Sequence, residues 1–127
     1  RLAAKAVIRD EKGRVLLIVE KGGHFGLPGG GIEFGESAIE ALRRELNEEL
    51  GITDVKSTTL MMAFPYFSES RQAWALWLLH QTEVTLPERF VGDRSEGAVF
   101  MNIRDLLSHD PNQHRVHHVL NNLQNKN

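Results

Sequence analysis

The side chains richest in chemistry lie between Ser37 and Leu50, where SAIEALRRELNEEL carries four glutamates, Glu40, Glu45, Glu48 and Glu49. Strong helix formers dominate this stretch. Ser37 and Glu40 have the S-x-x-E spacing of a capping box and Gly51 follows, so a helix stopped at Gly51 is expected. With successive side chains turned by about 100°, Ile39, Leu42, Leu46 and Leu50 form an apolar arc, and Glu45, Glu48 and Glu49 run along one edge of it. Glu40, Arg43, Arg44 and Asn47 take the solvated side, where an acidic helix with no further task would keep all its carboxylates. Glu45 instead has Glu48 and Glu49 at i+3 and i+4, with β-carbons about 5–6 Å apart, and such neighbours repel unless a cation joins them. Oxygen donors at this density suit a hard divalent ion, Mg²⁺ or in its place Mn²⁺, of the kind that shares its coordination sphere with phosphates. The competing structural reading ties the helix together through Arg44–Glu48 and Glu40–Arg44 ion pairs.

The residues ahead of the helix have to bring backbone to those carboxylates. Phe25 to Phe34, FGLPGGGIEF, holds four glycines and a proline, which excludes a helix interior and predicts a loop. Along Gly29, Gly30 and Gly31 no side chain intervenes, so a backbone carbonyl can approach an ion closely. The phosphate-cradling G-x-x-x-x-G-K-[ST] loop is excluded, because its Lys-Ser/Thr pair is missing. Upstream, Leu2–Arg9 and Arg14–Glu20 read as two strands of a hairpin turning at Asp10–Gly13. Downstream, Lys56–Phe67 and Gln72–Thr85 read as a strand pair, Ala98–Ile103 as a last short strand and Ile103–Leu107 as a single helical turn. Val116, Val119, Leu120 and Leu123 follow the i, i+3, i+4, i+7 rule of a helix packed on the sheet. With no repeat, low-complexity tract or linker, residues 1–127 are expected to form one domain of α/β (α+β) class.

Composition narrows the chemistry further. The 127 residues include no cysteine, which excludes thiolate zinc sites, disulfide frameworks and cysteine nucleophiles. Seventeen acidic and fifteen basic residues give a formal net charge of −2, so no global field draws nucleic acid or an anionic membrane. A phosphate-bearing ligand would therefore need a local cation. No apolar run approaches the roughly 18 residues of a membrane span or the pattern of a signal peptide, and a cytoplasmic protein is expected.

The spacing through this segment is Gly30, five residues, Glu36, seven residues, Arg44-Glu45-Leu46, one residue, Glu48-Glu49, one residue, Gly51-Ile52. It resembles the Nudix box at every specified position, and Leu27-Pro28-Gly29 resembles the family's approach to it. The resemblance implies an α/β/α sandwich with a mixed sheet between helices. It further implies Glu45 and Glu49 as principal Mg²⁺ ligands, Glu48 as a further ligand and a contribution from the Gly29 carbonyl. Arg44 would orient Glu45, and Glu36 and Gly30 would support the loop. Activity would be Mg²⁺-dependent cleavage of a phosphoanhydride in a nucleoside diphosphate derivative. A nucleoside triphosphate, as in the MutT-like members, is the leading substrate. ADP-ribose, nucleotide sugars, dinucleoside polyphosphates and capped RNA stay open. So do the oligomeric state, monomer or homodimer, and the general base, which is either Glu45 or an acid on a later loop. Glu96 is the later-loop candidate, with Asp93, Glu88 and Glu83 behind it. The alternative is a catalytically silent nucleotide sensor on the same fold.

Other residues compete for attention. His109, His114, His117 and His118 fit exposed helix positions better than a zinc site, because no further ligand accompanies them. Trp74, Trp77 and Phe67 fit a strand core better than base stacking. Phe25 and Tyr66 are the candidates for substrate contact.

Overall fold

A computed structural model describes residues 1–20, 23–69, 71–109 and 120–121. In chain order its strands and helices are β1 (Leu2–Val7), β2 (Val15–Val19), β3 (Phe25–Gly26), β4 (Gly29–Gly31), α1 (Ala38–Leu50), β5 (Asp54–Ser68), β6 (Ala73–Thr85), β7 (Val99–Met101) and α2 (Leu106–His109). Two apolar runs set the frame. β1 and β2 are buried nearly throughout, and their alternate residues face opposite ways, as the two-residue period of a strand requires. Ala4, Ala6, Leu16 and Ile18 enter one core, where Leu42, Leu46 and Leu50 of α1 meet them. Val7, Val15 and Leu17 enter a second core with Leu79, Leu106 and Leu120. The result is the expected mixed α/β arrangement, with sheet between helical layers.

A strand covered on both faces belongs inside a sheet, and this overturns the simple hairpin expected of β1 and β2. The turn itself forms, with Gly13 at φ 79° and Asp10 Oδ1 accepting the backbone N–H groups of Lys12 and Arg14. Beyond the bridge of Arg9 with Val15 the strands part. β1 runs antiparallel to β4 and parallel to β6 in a sheet of order β4-β1-β6-β5, while β2 lies between β3 and β7. Each thereby gains neighbours on both edges. β5 and β6 pair antiparallel from Asp54–Thr85 to Ser68–Ala73, as their sequence predicts.

α1 starts and stops where its caps dictate. Ser37 accepts from the Glu40 N–H, Glu40 returns the bond to the Ser37 N–H, and Gly51 closes the helix at φ 70°. Its buried face is Ala41, Leu42, Leu46 and Leu50 together with Glu49, whereas Ile39, expected in the arc, stays exposed. Leu120 is helical and fully buried in the second core; Val116, Val119, Leu123, His114, His117 and His118 lie outside the described residues. No described helix is long and apolar enough to cross a membrane.

Candidate active site

The glycine stretch, expected as a loop, is laid down in part as a short strand paired with β1, and three close approaches require its glycines. Gly29, at φ 125°, runs tight against the backbone of Ala4. A β-carbon on Gly30 would come within 2.7 Å of the Glu45 carboxyl carbon, and one on Gly31 would strike the Arg1 guanidinium. Missing side chains at β4 therefore make room for α1's carboxylates beside the sheet edge.

Arg44 fixes the outer side of that junction. Its Nε and Nη2 donate to the two oxygens of Glu36 at 2.8 and 3.0 Å, a two-pronged bond matching guanidinium to carboxylate. Nη2 also donates to Gly31 O at 3.1 Å, and Nη1 to Glu45 Oε1 at 3.1 Å and Glu48 Oε2 at 3.4 Å. One side chain thus ties loop, strand and helix together. The Arg44 bonds, reinforced by the Glu33 N–H, hold Glu36 down to a pKa of about 2, and Arg44 is raised in turn.

On the inner side, Glu49 Oε1 accepts the Gly29 N–H at 2.8 Å, and the residue is buried. Burial raises its pKa to about 7; the Gly29 bond and the charge of Lys5 oppose the rise, while Glu45 and Asp93 add to it. The C-terminal carbonyls of α1, unpaired within the helix, are met by a later loop. Val91 N–H donates to Leu50 O, Asp93 N–H to Glu48 O and Arg94 N–H to Glu49 O, at 3.0–3.1 Å. Gly92 allows this contact, since a β-carbon there would collide with the Glu48 and Glu49 backbone.

These elements enclose a cleft of about 470 Å³, a size suited to a small molecule. Glu45, Glu49 and Gly29–Gly31 line it on the β4 side of β1, and Tyr66, Trp74 and Trp77 of β5 and β6 line it on the other, with Tyr66 tilted on Trp77 at 5.0 Å. Lys5, Glu20, Arg71 and Arg94 also line it. Of the residues singled out in the sequence, Glu48 sits outside the cleft, half exposed on Arg44. Glu96 is exposed and lines an adjoining depression with Asp93 and Val19. Phe25 packs against the second core, whereas Tyr66 reaches the cleft. Sequence reasoning missed Lys5, although it is the one charged residue in the apolar run Leu2–Ile8, and a lysine is seldom buried there without a partner.

Among the described residues, no three Asp, Glu or His side chains gather tightly enough to hold an ion by themselves. The donors at the cleft are nonetheless all oxygen, from Glu45, Glu49 and the β4 backbone. That set fits a hard cation whose remaining positions go to water and phosphate.

A family model described as the NUDIX domain matches residues 1–122. The chain belongs to the Nudix family. Nudix hydrolases generally use divalent metals, in keeping with that donor set. An RNA pyrophosphohydrolase of Ruthia magnifica subsp. Calyptogena magnifica is 52% identical over 48 residues, a stretch covering 37% of this chain and 27% of that protein. Among solved structures, a Nudix hydrolase from Nitrosomonas europaea has the same fold, with a TM-score of 0.77 and 22% identity over 98% of this chain and 88% of that one. The MutT Nudix hydrolase from Burkholderia pseudomallei is 26% identical, with a TM-score of 0.62 over 84% of this chain and 85% of that one.

Proposed function

We propose that this Nudix chain is a Mg²⁺-dependent pyrophosphohydrolase that cleaves a phosphoanhydride bond in a nucleoside diphosphate derivative, with a nucleoside triphosphate as the leading substrate. The observation that carries the reading is the meeting of Glu45 and Glu49 with the side-chain-free β4 strand in a cleft that is also lined by Tyr66, Trp74 and Trp77. Likeness to a protein named MutT supports the triphosphate, and the partial match to an RNA pyrophosphohydrolase supports pyrophosphate chemistry.

In this reading Glu45 and Glu49 would hold the cation, with the Gly29 carbonyl adjacent and Glu48 farther out on Arg44. When bound, a divalent cation neutralises phosphate oxygens that otherwise repel a nucleophile. Arg44 acts through Glu45, fixing one carboxylate oxygen so that the group keeps its place above Gly30. Glu45 accepts the proton of the attacking water. Arg94, carried by the loop that caps α1, also lines the cleft and steadies phosphate charge there. Tyr66 and Trp77 offer π-faces to a base.

The test is product analysis across nucleoside triphosphates, ADP-ribose, a nucleotide sugar, a dinucleoside polyphosphate and a 5′-triphosphate RNA. Hydrolysis is expected with Mg²⁺, to be abolished by EDTA, and to fall by about 10³-fold in Glu49→Gln. Glu96→Gln, altered in the adjoining depression, should keep most activity if Glu45 is the base. Turnover indifferent to both EDTA and Glu49→Gln would reject the reading. Tight nucleotide binding without turnover under Mg²⁺ or Mn²⁺ would support the sensor instead.

A further inference from the structure

Lys5 is a cation taken out of water without strong partners in exchange. It rises from β1 into the cleft floor, and its side chain is only 8% exposed. Its ammonium lies 3.4 Å from Leu27 O, 3.3 Å from Gly29 O and 3.5 Å from Glu20 Oε1. Charge-assisted N–H···O bonds are usually about 2.7–2.9 Å long, so all three contacts are slack. The Trp77 ring, 5.3 Å away, adds a weaker attraction through its face. Desolvating an ammonium is costly unless good partners replace the water, and here the replacement is incomplete.

Glu20 is the partner able to leave. Its carboxylate rests on Gly26, where a β-carbon would come within 2.8 Å, yet its side chain is 45% exposed and can turn to solvent at little cost. A compact ammonium with three donors is suited to a phosphoryl oxygen. Lys5 also pairs in register with Gly29, the residue that holds Glu49, so its charge stands beside the carboxylates of the cleft.

We propose that Lys5 is the phosphate anchor of the cleft, kept in place by Glu20 until a phosphoryl oxygen of the substrate replaces that carboxylate. The inference rests on reading the cleft as a phosphoanhydride site, and it names a specificity-determining residue there. Ligands with two or more phosphates gain from Lys5; nucleosides do not.

Calorimetric binding in Mg²⁺ tests this with inorganic pyrophosphate and, for each common base, the nucleoside, its monophosphate and its α,β-methylene diphosphate. In the wild type, affinity rises with phosphate number. Lys5→Met should remove about tenfold or more of the diphosphate gain while nucleoside affinity changes less than about twofold. Lys5→Arg should keep most of the gain, and Glu20→Gln should hold diphosphate affinity or raise it severalfold. Equal weakening of nucleoside and diphosphate by Lys5→Met would mean a packing role and overturn the proposal. So would unchanged pyrophosphate binding, or weaker diphosphate binding in Glu20→Gln. Should Lys5→Met fold poorly, Glu20→Gln and Lys5→Arg decide the matter alone. Normal wild-type hydrolysis alongside Lys5→Met affinities equal to wild type sinks the anchor and spares the enzyme; a wild type blind to phosphate number sinks both.

Discussion

Of the cations that border the Gly29–Gly31 strand, Arg44 and Lys5 are bound in opposite ways. Arg44, on the helix side, makes five hydrogen bonds, four of them between 2.8 and 3.1 Å, to Glu36, Glu45, Glu48 and Gly31. Lys5, on the strand side, is the more deeply buried of the two, yet its polar contacts all lie between 3.3 and 3.5 Å. A guanidinium whose donors are taken by three carboxylates and a carbonyl is a fastener: it sets where Glu45 stands and has little left for a ligand. An ammonium with slack partners has capacity in reserve. Within one site, the shorter bonds mark the framework and the longer ones mark where a ligand can compete.

The hardest way to break this contrast is to remove the fastener. Arg44→Ala leaves Glu36, Glu45 and Glu48 without their common partner and removes the tie between α1 and Gly31 of β4. A loss of about 1–2 kcal/mol is expected, since Arg44 is part-buried and its bonds form a network, with a fall in Tm of about 5 °C. Chemical and thermal unfolding monitored by circular dichroism measure it directly. A Tm within about 2 °C of wild type would show that the Arg44 bonds are surface decoration.

The two sides should also respond to pH in opposite senses. Glu36 is held below its unfolded value, to about 2, by Arg44. Its contribution to stability is present above the unfolded carboxylate pKa of about 4.5 and is lost as pH falls through the folded value of about 2. Glu49 is raised by burial to about 7, so in metal-free protein the folded state binds the extra proton. Stability from that group is full below about 4.5 and falls as pH rises through 7. If Glu49 holds the cation as proposed, binding to its ionised carboxylate would offset the fall. In EDTA, Tm should decline by several degrees between pH 5 and pH 8, and Mg²⁺ should raise Tm more at pH 8 than at pH 5. An equal Mg²⁺ shift at both pH values would detach Glu49 from the cation.

What the sequence disclosed and what it hid follow the same divide between local and distant contacts. Ser37, Glu40 and Gly51 bound α1 through contacts within a few residues, so its limits were legible. Arg44, Glu36 and Glu45 come from one short segment, and it was the resemblance of that segment to the Nudix box that implied their arrangement. The β1–β2 hairpin misled because strand pairing is decided by distant chain, here Gly29–Gly31 and Leu76–Gln81. The loop at Val91–Arg94 was unreadable for a related reason: its N–H groups cap the C-terminal carbonyls of α1, a bond type with no side-chain signature. Lys5 fell between these cases. A lone charge in an apolar strand announces a buried partner, but nothing in the pattern says that the partner is Glu20.

The smallest expected effect sharpens the contrast most. Lys5→Met preserves the length of the side chain and its packing on Trp77, and removes a charge whose partners are slack. Glu20, 45% exposed, can be resolvated, and the Leu27 and Gly29 carbonyls forgo bonds already at the long end of the range. Replacing a poorly compensated buried charge with an apolar group of similar shape is often neutral or mildly stabilising, so folding stability should change by less than about 1 kcal/mol. Thermal unfolding without nucleotide would check this, with Arg44→Ala as the reference. If the two substitutions destabilise equally, Lys5 belongs to the framework, and the long contacts are simply how this site holds a structural cation. If Lys5→Met folds as well as wild type but binds polyphosphate poorly, its slack bonds are capacity reserved for the ligand.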